Sequence, residues 1–253
     1  MGAVRAFYWE IKLELVSAFR YRFGVLTDIV VFTILLSFFL MSDTGSSYVK
    51  TYQYDNYKEI ILFGYIAWIY SISAISTISQ VISNELRHGT FYKKMHSKYP
   101  LQFLLFGRLI ASLVLETAVI FVLVILSRFV WNVHISLDIL IILAVTINTL
   151  GMYGIGLFVA GLSVFFKRTG SILFLIQLGL LFVTDTIPTK VSISSIIPLT
   201  TCNIIIKKRL AGQNLGLDFL ILCITTIILL ILGVLIFSIF LKLAKKKGNL
   251  LFY

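Results

Sequence analysis

The sequence predicts an all-α membrane protein of six transmembrane helices, with an amphipathic N-terminal helix in the interface and re-entrant helices between spans five and six. Of its 253 residues 59% are hydrophobic and only 13% charged, about half the charged share of soluble domains. With a mean hydropathy of +0.99, the apolar surface needs hydrocarbon rather than one soluble core. Several apolar runs approach the ~20 residues with which a helix crosses a ~30 Å bilayer core. A barrel is excluded, because runs such as 139–143 and 227–237 are apolar all round, whereas barrel strands alternate.

Residues 1–22 read as the interfacial helix. Val4, Phe7, Tyr8, Ile11, Leu15, Ala18 and Phe19 recur at helical spacing, with Arg5, Glu10, Lys12, Glu14 and Arg20 mostly around the other side. No small-residue cleavage pattern follows the first apolar run, so the segment is expected to stay on the protein and lie in the interface plane. Span one covers 23–41, and the loop 42–58 is too polar for burial. Span two, 59–82, begins at Glu59 and thins into serines.

The longest polar interruption, 82–108, follows. Span three, 103–127, carries Glu116 near its middle; span four, 138–165, contains Asn148. Gly151, Gly154, Gly156, Ala160 and Gly161 give span four a small-residue surface against which another helix can come close. Lys167-Arg168 form a short basic turn, and the fifth run, 170–185, is barely long enough to cross. Residues 189–206 are moderately apolar, broken by serines and Pro198, and end in Lys207-Lys208-Arg209. They are expected to form short re-entrant or interfacial segments, because such backbone is tolerated only where protein or an interface covers it. Span six, 218–241, ends in a lysine-rich tail.

Basic residues set the orientation. With a cytoplasmic N-terminus, the inside segments hold Arg5, Lys12, Arg20, Arg22, Arg87, Lys93, Lys94, Lys98, Lys167, Arg168 and the four lysines from Lys242 to Lys247. Half as many, among them Lys207, Lys208 and Arg209, fall outside, where those three are expected to snorkel toward headgroups. The bias predicts a multi-pass plasma-membrane protein with both termini cytoplasmic.

The net charge of +11 fits membrane flanks and anionic lipid, and no aromatic-basic module points to nucleic acid. Cys202 and Cys223 form neither a disulfide framework nor a metal spacing. Without a phosphate-binding loop, a zinc signature or a nucleophile elbow, the chain is expected to be no enzyme and to bind no cofactor or metal of its own. Glu116 is the sharpest single residue, because an ionisable group at mid-bilayer is costly and by default functional. Asn148 and Gln177 lie at similar depths, so the three form a candidate cargo pathway or a polar cluster that fixes helix packing.

Glu85-Leu86-Arg87-His88-Gly89-Thr90, then Pro100 and Gly107-Arg108, resembles the ABC-2 type permease family, in which an acidic-x-basic-x-Gly-Thr stretch precedes a Pro and a Gly-basic pair. Ile197-Pro198-Leu199-Thr200, Arg209 and Gly212 continue the resemblance. One departure is Phe91-Tyr92-Lys93-Lys94, aromatic and basic where many members carry a second acid. The resemblance implies a single transmembrane domain over 1–253, with an interfacial helix at 1–22, a cytoplasmic coupling segment at 83–102 and an extracellular re-entrant segment at 186–209. It implies a transport subunit working with a second permease copy or a homologous permease and with separate ABC ATPase subunits, which hold the ATP and Mg. Glu85, Arg87, Gly89 and Thr90 are then the expected ATPase-coupling residues. The cargo expected is hydrophobic or amphipathic (peptide, toxin or drug) and exported; the alternatives are lipid-linked glycan export and an ATP-independent channel or secondary carrier.

Overall fold

The computed structural model describes residues 2–20, 22–41, 56–136, 138–166, 170–183 and 196–246. All their regular structure is helical: α1 (Gly2–Arg20), α2 (Arg22–Met41), α3 (Tyr57–Arg87), α4 (Phe91–Met95), α5 (Leu101–Trp131), α6 (Ile139–Phe166), α7 (Gly170–Val183), α8 (Pro198–Leu210) and α9 (Asp218–Lys246). Most of the loop 42–58, the basic turn at 167–168, the first half of the 186–209 segment and the end of the lysine tail lie outside the described residues.

Among the described residues five helices are long and apolar enough to cross a membrane: α2, α3, α5, α6 and α9. The described part of the fifth expected span is α7, 14 residues or about 21 Å, with residues outside the described set on both sides. Conversely α3 and α5 exceed their expected bounds, each with 31 residues, or about 46 Å. The last turns of α3 carry Glu85 and Arg87 on continuous helix.

α3 is the axis of the bundle. It touches α2, α5, α6, α7 and α8, and 72% of its apolar window is buried, against 17% for α2 and for α9. Its serines, poor helix formers in water, make bonds inside the bundle: Asn148 on α6 donates Nδ2–H to Ser71 Oγ at 2.8 Å, and Ser79 and Ser163 share a 2.6 Å bond. On the other side of α6 the small residues act as expected. A Cβ on Gly154 would collide with the backbone of Leu229 on α9, and one on Gly233 with the backbone of Gly154, so the α6–α9 backbones touch with no side chain between them. Gly156 does the same against α3, where an added Cβ would lie 2.6 Å from the Ala74 carbonyl.

Two helix stops explain motif glycines. At the end of α3, Gly89 has φ +66°, Thr90 N–H donates to the Glu85 carbonyl at 2.9 Å and Gly89 N–H to the Leu86 carbonyl at 3.1 Å. This is the double bond of a Schellman motif, which favours glycine at the left-handed position. Gly212 repeats it after α8 with φ +68°, Gln213 N–H reaching the Lys208 carbonyl at 2.8 Å. Pro100 then stands at the N-cap of α5, where its fixed φ and missing N–H cost nothing.

Polar contacts gather at the two ends of the bundle. At one end Glu59 Oε1 accepts from the N–H and hydroxyl of Ser136. There Arg209 pairs with Asp138 at 2.5 Å and Lys208 with Asp218 at 2.8 Å. The Leu140 N–H and the Arg209 guanidinium hold the Asp138 carboxyl below its ordinary range. Two of the three basic residues expected to snorkel are thus ion-paired to acids at the starts of α6 and α9. The helix that bears them, α8, is a short one with most of its residues buried against α3, α6 and α9.

The N-terminal helix packs by its polar side. Val4, Tyr8 and Phe19, three residues of its apolar side, are 75%, 57% and 78% exposed on the protein, while Glu10 and Glu14 turn inward toward α5. Charge decides here, since α5 presents a cation that draws the carboxylates in.

Candidate functional site

At the end of the bundle opposite Glu59, that cation is Arg108. Its Nε donates to Glu10 Oε2 at 2.7 Å, its Nη1 to Glu14 Oε2 at 2.7 Å, and its Nη2 lies 3.6 Å from Glu85 Oε1. Lys94 on α4 closes the ring, 2.9 Å from Glu10 and 2.6 Å from Glu85. Three carboxylates and two cations thus tie α1, the end of α3, α4 and the start of α5 into one body. Their side chains are only 11–23% exposed, so these pairs are far less screened than surface pairs.

Apolar packing aligns the cluster. The Phe7 and Phe103 rings lie 5.0 Å apart, and a Cβ at Gly107 would sit 3.1 Å from the Phe7 ring. Gly107 makes room for α1 and Arg108 holds it. Burial pushes the Glu10 carboxyl upward, but hydrogen bonds and charge from Arg108 and Lys94 outweigh it and leave the group below its usual value of 4.5.

The four expected coupling residues fall into three settings. Glu85 faces inward and is held by Lys94 and Arg108. Arg87 is exposed. Gly89 and Thr90 form the helix stop, with Thr90 Oγ1 also donating to the Glu85 carbonyl. Beside Arg87 the outer surface of α4 shows Tyr92, Lys93 and His96, Tyr92 and His96 with ring centroids 4.3 Å apart.

The expected polar trio is divided. Glu116 and Gln177 line one cavity of about 580 Å³, with Asp28, Ser73, Ser76 and Gln80. Asn148 is fully buried in the α3–α6 seam and does not line it. Glu116 Oε2 is buried with no hydrogen-bond partner among the described residues. Glu14 reaches the same cavity from the ion-pair cluster. Sequence reasoning passed over Asp28, over Glu10 and Glu14 as partners of Arg108, and over Lys94 as a partner of Glu10 and Glu85. Asp28 had a signal, since it interrupts run 23–41 as Glu116 interrupts its own. Among the described residues no group of His, Cys, Asp or Glu is arranged to hold a metal ion.

Long apolar helices, a charged cluster at one end and a polar cavity among the spans define a multi-pass membrane transport module. The family model for the ABC-2 type transporter matches residues 6–201, well over half of the chain. The chain belongs to the ABC-2 type transporter family and is a permease subunit of an ABC transporter, a transport rather than a catalytic module. No curated protein matches it. The family in general works with an ABC ATPase.

Proposed function

We propose that the chain is the membrane half of an ATP-driven exporter of hydrophobic or amphipathic cargo. In this reading α7 is the fifth of six spans, α1 lies at the cytoplasmic interface, α8 belongs to an extracellular re-entrant segment, and both termini face the cytoplasm. The exposed face of α1 supports the interfacial placement. Trp9 and Leu13 stand there beside Arg5 and Lys12, a pairing of amphipathic rings and cations suited to headgroups. Two copies, or this chain and a homologous permease, meet along α2 and α7, whose Val31, Phe38, Phe174 and Leu175 are exposed on the isolated chain. The cargo pathway runs beside that junction, where α2 and α7 also wall the cavity. ATP and Mg reside on the partner ATPases.

The single observation that carries this reading is the ring of ion pairs joining α4 to α1, α3 and α5. A soluble ATPase docking on Arg87 and the outer face of α4 pushes on a lever. Lys94 and Glu85 pass the push to Glu10 and Arg108, and so to the spans. Glu85 is therefore a transmitting residue and Arg87 a contact residue. The reading is tested by purifying the chain with the ATPase encoded beside it and measuring ATP-driven cargo movement into vesicles. Co-purification and transport are expected, with Arg87→Glu losing the bound ATPase and Glu85→Lys retaining it but losing transport. Absence of any bound ATPase overturns the reading.

A further inference from the structure

The cavity between α2, α3, α5 and α7 combines features that favour one class of ligand. Its volume of about 580 Å³ falls within the roughly 300–1,000 Å³ of small-molecule sites. Phe32, Trp68 and Phe174 contribute aromatic walls, while Asp28 and Glu116 contribute two carboxylates from different helices. Both acids line the same cavity, and among the described residues no Lys or Arg lines it. Two like charges facing one partly apolar space repel each other, and a cation between them relieves both. Glu116 takes a hydrogen bond from Ser73, and its buried Oε2 has no hydrogen-bond partner among the described residues. Aromatic faces attract cations as well, most strongly when desolvated.

We propose that this cavity recognises lipophilic cations, molecules with an apolar body and one amine, guanidinium or delocalised positive charge. The inference rests on the export reading only in treating the cavity as part of the cargo pathway; binding itself needs no ATPase. Asp28 and Glu116 receive the charge, and Phe32, Trp68 and Phe174 receive the body.

The full chain in lipid nanodiscs tests this with a pair of ions of nearly equal shape and opposite charge, tetraphenylphosphonium and tetraphenylborate. Saturable binding of the phosphonium and none of the borate above empty nanodiscs is expected. Glu116→Gln and Asp28→Asn are each expected to weaken phosphonium binding by roughly tenfold or more, with Glu116→Asp restoring most of it. Equal binding of the two ions, or unchanged phosphonium binding in the variants, overturns the proposal. If Glu116→Gln does not fold, Asp28→Asn on the more exposed acid is read alone. Charge-selective binding in a chain that no ATPase drives would sink the export reading and leave cation recognition standing. ATP-driven export of another cargo without charge-selective binding would do the reverse.

Discussion

Arg108 is the residue on which the α1 end of the bundle depends. It contacts three carboxylates with its side chain 12% exposed, and removing a buried partner leaves the others uncompensated at a cost of about 3 kcal/mol or more. Arg108→Gln is therefore expected to lower the thermal midpoint in detergent and to free α1. Lys94→Gln, on a side chain 18% exposed that reaches two of the acids, is expected to cost less.

The same ring has a pH dependence of defined sign. The folded Glu10 carboxyl lies below its usual 4.5, so its stabilising share is fully present above about pH 4.5 and is lost as pH falls through the folded value. Protection of residues 2–20 against hydrogen–deuterium exchange, taken relative to the intrinsic rate at each pH, is expected to be high at pH 7 and to fall as pH drops below 4.5. Arg108→Gln should show low protection at both. Full protection at pH 3.5 in the wild type would refute the link.

At the scale of elements, the α6–α9 contact has no room for a side chain. Gly154→Leu or Gly233→Val must push two backbones apart, and each is expected to destabilise by several kcal/mol. Gly179→Ala, with nothing within 4 Å of its added Cβ, is expected to be neutral or slightly stabilising, because alanine is the better helix former. Comparing protein yield and thermal midpoint of the three variants checks this. Gly89→Ala strains the left-handed stop by about 1 kcal/mol. It is expected to reduce ATP-coupled transport more than stability, because it re-aims α4.

Five of the six expected spans, the glycine surface of α6 and the break at Pro100 were legible in the sequence, because apolar length, small-residue spacing and proline geometry act locally. The inward turn of Glu10 and Glu14 was not. Helical periodicity sorts residues by polarity, and a carboxylate counts as outward until its partner is known. That partner, Arg108, lies on another helix far along the chain. Gly89-Thr90 was read for coupling, and its bonding adds a local reason for the same residues, a helix stop. Asn148 shared a depth with Glu116 but not a direction, since depth in a bilayer does not fix rotation about the helix axis.

For the whole molecule, the proposed junction along α2 and α7 predicts how copies assemble. In a background with Cys202 and Cys223 replaced by alanine, Phe38→Cys on α2 or Leu175→Cys on α7 is expected to cross-link two permease chains on mild oxidation. Leu235→Cys, on the exposed flank of α9, is not. Cross-linking through α9 alone would place the junction on the wrong side of the bundle.

Glu14 belongs at once to the salt-bridge ring and to the wall of the cavity. An added positive charge in that space would compete with Arg108 for one carboxylate, so loading the cavity would loosen the grip on α1, and gripping α1 would weaken the hold on what is loaded. Thermodynamic linkage makes that exchange reciprocal: under the proposed function, a single glutamate would let the cargo cavity and the ATPase-facing end sense each other's occupancy without any long-range wire.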